Sequence, residues 1–195
     1  MQTRLPFLEE IWAWLDSVID PEIPILSVVD LGIVRDVRWI EEQTDFTTKT
    51  QSTPRSDSTL VVTITPTYSG CPAMAVIKHD IQRALQERGI DRVRIDTQLS
   101  PAWTTDWMTD RGRKRLLEYG IAPPEPHYNE LCLAPVLRSP AQPDDGGSEA
   151  RSTRVPCPRC GSSDTRLVSW FGSTPCKAFY ICNSCLEPFD HFKCH

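Results

Sequence analysis

No stretch of this 195-residue chain approaches the roughly 18–20 consecutive apolar residues that a membrane span requires. Nor does an apolar signal core follow Met1, because Gln2, Thr3, Arg4, Leu5 and Pro6 lead into an amphipathic stretch interrupted by Glu9, Glu10 and Asp16. A cytoplasmic protein with no membrane partner is expected. Excess positive charge is missing as well. With 21 Lys and Arg against 26 Asp and Glu, the net charge of -5 offers no general attraction to polyanions, so nucleic acid is not an expected partner. There is no G-x-G-x-x-G or P-loop to cradle a nucleotide, and no Glu-x-x-His pair to build a bundle-type di-iron site. The histidines at positions 79, 127, 191 and 195 are scattered, and no nucleophilic triad can be assigned.

Cysteine, by contrast, is plentiful. Eight cysteines without an export signal read as metal ligands or reactive thiols rather than as a disulfide framework. Cys157-Pro158-Arg159-Cys160 and Cys182-Asn183-Ser184-Cys185 are two C-x2-C pairs separated by 21 residues. Each pair can form a tight knuckle with both thiolates on one side, and two knuckles complete a tetrahedral S4 site of the kind zinc prefers and a single iron accepts. Four protein ligands leave no open position for a substrate, so the metal is expected to staple a module of about forty residues too small to fold on burial alone. A redox alternative also exists: Cys176, Cys182, Cys185 and Cys194 come within one residue of the plant-type ferredoxin spacing. A thioredoxin-like dithiol fits less well, since neither pair follows a strand and opens a helix.

The remainder of the chain reads as a small α+β domain. Leu8, Ile11, Trp12, Leu15, Val18 and Ile19 recur at helical spacing and predict a helix over 7–19, ended by Asp20-Pro21-Glu22-Ile23-Pro24. Val- and Ile-rich stretches predict strands over 32–40 and 60–65, joined by a polar insert, 41–58, expected to be a long hairpin loop. A second helix is expected from Pro72, with Met74, Ile77, Ile81 and Leu85 inward, until Gly89 caps it. The alternation of 91–98 predicts a third strand. The order helix, strand, strand, helix, strand suggests a small sheet with helices on one face. Arg111, Arg113, Lys114 and Arg115 on a third helix read either as one solvated face or as a contact for phosphate or an acidic partner. The expected domains are residues 1–137, a flexible linker over 138–154 and a C-terminal zinc ribbon over 155–195.

Thr65-Pro66-Thr67-Tyr68-Ser69-Gly70-Cys71-Pro72 joins the second strand to the second helix and sets Cys71 beside a helix N-terminus, where unpaired N–H groups and the dipole favour a thiolate. Such a thiol serves as a nucleophile or a ligand for iron, or is a small residue at a turn. Together with Asp20-Pro21-Glu22-Ile23-Pro24 and Val29-Asp30-Leu31-Gly32-Ile33-Val34, this stretch resembles the small domain shared by SufT and the iron–sulfur cluster targeting factors. Adding Pro101-Ala102-Trp103-Thr104-Thr105-Asp106-Trp107, Tyr119-Gly120-Ile121-Ala122-Pro123-Pro124 and the tail from Glu187 to Cys194, nearly the whole chain closely resembles the PaaD (PaaJ) family, accessory components encoded with phenylacetyl-CoA epoxidases.

The resemblance implies that Cys71 corresponds to the reactive or cluster-associated cysteine of the assembly domain, with Asp20, Glu22 and Thr67 as its signature. It implies that Cys157, Cys160, Cys182 and Cys185 match the metal site that sets PaaD apart from the bare domain. The expected function is a non-catalytic helper that assists iron or iron–sulfur cluster maturation of the epoxidase's oxygenase or reductase components. Its expected cofactors are a structural zinc and a transient iron or cluster, and a homodimer is one expected form. The alternative is an electron-transfer subunit whose ribbon holds iron.

Overall fold

The computed structural model describes residues 5–41, 58–68, 70–124 and 155–193. They fall into two compact units, one of residues up to 103 with 107–112, the other of 104–106 with the residues from 113 on.

The first unit opens with helix α1 (Leu8–Leu15), whose first turn is closed by Glu10 accepting the Phe7 amide at 2.8 Å. Ile11 and Leu15 form its fully buried stripe. The helix stops four residues short of the expected Ile19. The Ser17 hydroxyl donates to the Trp14 carbonyl at 2.6 Å, and beyond it the chain extends to pair with residues 26–28: Ile19 bridges Ser27, the Asp20 amide reaches the Leu26 carbonyl and the Val28 amide reaches the Val18 carbonyl, both at 2.9 Å. Val18 is buried in the extended conformation, as helical periodicity also expected, so its apolar character could not register the switch.

The sheet is β1 (Val34–Glu41), β2 (Ser58–Ile64) and β3 (Val93–Thr97) in spatial order β1-β2-β3. β1 and β2 are antiparallel, with Glu41 opposite Ser58, so the polar insert connects neighbouring strands; residues 42–57 lie outside the described ones. β2 and β3 are parallel, which requires a crossover, and helix α2 (Ala73–Gln86) supplies it. Pro72 occupies its N-cap and Gly89, at φ +84°, follows its end, where the Ile90 amide returns to the Leu85 carbonyl at 3.1 Å. Ala73, Ile77, Ile81 and Leu85 form the buried stripe, Ala73 taking the place expected for the half-exposed Met74. The three large side chains contribute roughly 2 kcal/mol each to seating the helix. Leu60, Val61, Val62 and Ile64 are all fully buried, so the central strand is covered on both faces.

The loop between α1 and β1 is locked by a charged network. Asp30, fully buried, receives the Arg111 Nε at 2.7 Å, the Thr109 hydroxyl at 2.9 Å and the Ser27 amide at 3.4 Å. Arg111 also donates to both carboxylate oxygens of Asp16, and the Trp103 indole donates to the Leu31 carbonyl at 2.9 Å. Gly32 is at φ +66°, and a Cβ there would lie 2.2 Å from the Trp107 carbonyl oxygen. Two sequence motifs that carried the family resemblance, Val29 to Val34 and the tryptophan pair, thus interlock.

The second unit contains most of helix α3 (Asp110–Tyr119), from Arg113 on, and a four-stranded sheet ordered β4-β7-β6-β5. Its strands are β4 (Ile121–Ala122), β5 (Thr165–Ser169), β6 (Lys177–Cys182) and β7 (Pro188–Phe192). β5, β6 and β7 form an antiparallel ribbon, to which β4 adds in parallel through Ile121 and Ala122. This short strand comes from ahead of the linker expected at 138–154, which lies outside the described residues. His191 fastens the seam: its Nδ1 lies 3.2 Å from the Ala122 carbonyl oxygen, and its ring meets Tyr180 edge-on. Burial holds the imidazole pKa down to about 4, so the ring is neutral and Nδ1–H donates. The α+β class with a C-terminal ribbon agrees with the sequence reading.

Two arginines of the basic helix are engaged within the chain rather than spread on one solvated face. Arg111 is consumed by Asp16 and Asp30, and Arg113 donates to the carbonyls of Pro124 and Thr105. Both were unreadable from the sequence because their partners lie far along the chain or on backbone oxygens.

Candidate metal centre and thiol site

The two C-x2-C pairs sit on matching turns. In the first, the Gly161 amide donates to the Cys157 carbonyl and the Cys157 amide to the Ser162 carbonyl, both at 2.9 Å. In the second, the Cys182 amide donates to the Glu187 carbonyl at 3.0 Å. The residue after each second cysteine adopts positive φ, Gly161 at +73° and Leu186 at +63°. Glycine takes this conformation freely, whereas Leu186 holds it against the Cβ clash. The Ser162 and Ser184 hydroxyls meet at 2.7 Å, and Asn183 is anchored to Asp164 through side chain and backbone, so the knuckles are tied to each other independently of any metal.

These turns bring the four sulfur atoms within 4.8 Å of one another. Cys157 and Cys185 approach to 3.7 Å, Cys160 and Cys182 to 3.6 Å. A tetrahedral ion with metal–sulfur bonds of about 2.3 Å has its sulfurs about 3.8 Å apart, so the residues present fit a four-thiolate metal site. Cys157 and Cys182 are buried in a core with Ala122, Val155, Ala178, Tyr180 and Phe189; Cys185 packs against that core and Cys160 is exposed. The Cys185 and Ser184 amides help draw the Cys182 thiol down to about 6. For Cys185, the Glu187 amide pulls the other way, yet burial and the neighbouring thiols push it up to about 12. Four thiolates at this spacing repel, and a cation at their centre is what allows all four to ionise.

The ferredoxin-like alternative does not assemble. Cys176 precedes β6 while Cys182 ends it, which separates the two by roughly 20 Å of extended strand. The buried Cys176 thiol instead contacts the Thr174 hydroxyl at 3.0 Å. Cys194 and Cys132 lie outside the described residues. Motif spacing gives no signal for Arg159, between Cys157 and Cys160. A Cβ on Gly120 would lie 3.3 Å from its guanidinium, so this cation lies at the C-terminal end of α3, where the helix dipole welcomes it.

Cys71, half-exposed, lies two residues ahead of the first turn of α2, its carbonyl accepting the Met74 amide at 3.3 Å. Its environment does not stabilise the thiolate as expected. Burial pushes the thiol up; a hydrogen bond from the Ala73 amide and one with Tyr68 pull it down, and the charges of Glu22 and Asp20 add to the upward shift. In the sequence the acidic loop and the thiol are linked by motif alone, and the loop's field on Cys71 is a product of the fold. Asp20 is buried and accepts the amides of Glu22 and Ile23 at 2.9 and 2.8 Å, so the same carboxylate shapes the loop that carries Glu22. Thr67 is buried in the segment leading to Cys71.

Residues 141–193 match the PaaD zinc beta ribbon domain. An Fe-S protein maturation auxiliary factor of Porphyromonas gingivalis (strain ATCC BAA-308 / W83) is 31% identical over 114 residues, 58% of this chain and 90% of the relative. The Fe-S protein maturation auxiliary factor YitW of Bacillus subtilis (strain 168) is 29% identical over 103 residues, 53% of this chain and 82% of its own length. A protein of Escherichia coli (strain K12), provisionally named as one of the subunits of 1,2-phenylacetyl-CoA epoxidase, is 44% identical over 189 residues, 97% of this chain and 94% of that protein. The chain therefore belongs to the PaaD family of phenylacetyl-CoA epoxidase components.

Proposed function

We propose that this protein is a non-catalytic accessory component of a phenylacetyl-CoA epoxidase system that helps install iron or iron–sulfur clusters in the oxygenase or reductase components. The observation that carries the reading is the placement of Cys71 in the field of Asp20 and Glu22. Two carboxylates beside a thiol raise its proton affinity and equally its affinity for a divalent cation. An arriving ferrous ion displaces the thiol proton and is held by a thiolate in an acidic surround. The site is half-exposed rather than closed, which suits cargo that must leave again. Support comes from the relatives named as Fe-S maturation factors and from the relative named as an epoxidase subunit.

In this reading the ribbon holds zinc through Cys157, Cys160, Cys182 and Cys185 as a staple and docking module, and Thr67 shapes the approach to Cys71. Zinc would supply charge neutralisation and cross-linking there, with no position left for chemistry. The test is to replace Cys71 with Ser or Ala and measure iron and cluster content of co-expressed oxygenase and reductase. A several-fold fall in occupancy is expected; full occupancy with normal epoxidation would overturn the proposal.

A second reading, an electron-transfer subunit, draws on the same sulfur tetrahedron, which suits a single iron as well as zinc. Metal analysis and an optical spectrum of anaerobically purified protein separate the two. Zinc with no visible absorption eliminates the redox ribbon.

A further inference from the structure

The ribbon thiols carry a feature beyond ligation. Each knuckle pairs a buried cysteine with a less buried one: Cys157 and Cys182 are buried, Cys160 is exposed and Cys185 is partly so. Across the knuckles, the sulfur of each less buried cysteine lies against that of a buried one in the opposite turn, Cys160 on Cys182 at 3.6 Å and Cys185 on Cys157 at 3.7 Å. That is the arrangement of an attacking thiol and a resolving thiol, made twice in one site. A disulfide needs its sulfurs at about 2.05 Å, so each pair must close by roughly 1.6 Å. The Ser162–Ser184 contact and the Asn183–Asp164 anchor already hold the two turns together while the side chains rotate.

We infer that the ribbon is an oxidation-responsive metal site in which a peroxide exchanges the bound metal for two disulfides, Cys160–Cys182 and Cys157–Cys185. The thiolate of Cys160, the exposed residue, attacks hydrogen peroxide, the O–O bond breaks, and a sulfenic acid and hydroxide form. The Cys182 thiolate then attacks the sulfenic sulfur and expels a second hydroxide. Two sulfurs are oxidised by one electron each and one peroxide is reduced to two hydroxides. The same steps at Cys185 and Cys157 consume a second peroxide, and the metal, having lost its four thiolates, leaves as the dication. Crosswise bonds keep the two knuckles joined, so the β5–β7 ribbon outlasts its metal and a reductant with added metal can restore it. Cys176, buried and placed at the other end of β6, is a spectator.

This inference rests on the ribbon holding metal, so metal content of the full-length purified protein is measured first. A chain that carries neither zinc nor iron sinks the ribbon reading itself. The metal-loaded chain is then treated with hydrogen peroxide in the presence of a chromogenic chelator, alkylated and digested with trypsin without reduction. Cleavage after Arg154, Arg159, Arg166, Lys177 and Lys193 separates Cys157 from Cys160 and leaves Cys182 with Cys185 on one peptide. Crosswise oxidation yields 155–159 and 160–166 both bound to 178–193, with one metal released per chain and metal-to-protein falling from one toward zero. Recovery of metal binding after thiol reduction with added zinc completes the expected result. Retention of metal under peroxide, or release with disulfides confined within each knuckle, overturns it while leaving the metal site standing.

Discussion

Replacing Arg111 with Ala tests how the charged network holds the loop that carries Asp20 and Glu22. Asp30 is fully buried and is paired with the Arg111 guanidinium, backed by Thr109 and the Ser27 amide. Burial works to raise the Asp30 pKa, and the hydrogen bonds from Arg111, Thr109 and Ser27, with the charge of Arg111, bring it below the ordinary value. Stranding a fully buried carboxylate costs about 3–5 kcal/mol. Arg111 is 47% exposed at its side chain and solvent screens part of the pair, so about 2 kcal/mol is expected here. For a unit of this size that is on the order of 10 °C in Tm. Five of the six tryptophans lie in the first unit, at 12, 14, 39, 103 and 107, so tryptophan fluorescence during urea or thermal unfolding reports it.

The pH dependence gives a sharper criterion. A carboxylate whose folded pKa lies below its unfolded one stabilises the fold above the unfolded value, about 3.9, and that stabilisation is lost as pH falls through the folded value. In Arg111→Ala the burial contribution dominates, so the Asp30 pKa rises and the protonated acid becomes tolerable. The difference between wild type and variant is therefore largest near pH 7 and shrinks toward pH 4. A loss below about 0.5 kcal/mol, or a difference that stays constant with pH, would refute the assigned role of the pair.

Gly32→Ala combines a positive-φ penalty with a Cβ 2.2 Å from the Trp107 carbonyl oxygen, so about 3 kcal/mol is expected in the same unfolding assay. A neutral result would show that the tryptophan segment does not pack as described. Gly161→Ala meets no neighbouring atom within 4 Å and isolates the backbone cost of the first knuckle, about 1 kcal/mol in the metal-loaded state, while metal stoichiometry stays at one. Cys71 alkylation by iodoacetamide should be slower at neutral pH than that of a free cysteine and level off at higher pH, and Glu22→Gln should move the profile to lower pH; a rate at pH 7 equal to or above that of free cysteine would contradict the acidic surround. Cys182→Ser removes a buried thiol of the cluster, and the loss should appear as failure to retain metal together with exposure of Tyr180 and Phe189, read by protease sensitivity of the ribbon.

Features whose cause is local or combinatorial could be read from the residues alone. Two C-x2-C pairs can close only a few kinds of site, so the four-thiol cluster was legible from spacing, and the fold places its sulfurs together. Helix, strand, strand, helix, strand was legible because Ile77, Ile81 and Leu85 repeat at helical spacing and the β2 residues form an apolar run. Features that depend on partners remote in the chain emerge only once it is folded. α1 ends early because residues 26–28 offer its tail a better set of hydrogen bonds. Arg111 is an internal clamp because Asp16 and Asp30, 95 and 81 residues away, arrive at its guanidinium. β4 joins a ribbon that lies beyond the expected linker because His191 and Asp190 of β7 present the edge it pairs with. Cys71, which a helix N-terminus taken alone would render acidic, is made a more basic thiol by burial and by two carboxylates some fifty residues earlier. Residue type and spacing specify what a side chain can do, but its protonation state follows from the charges and solvent that the folded chain gathers around it.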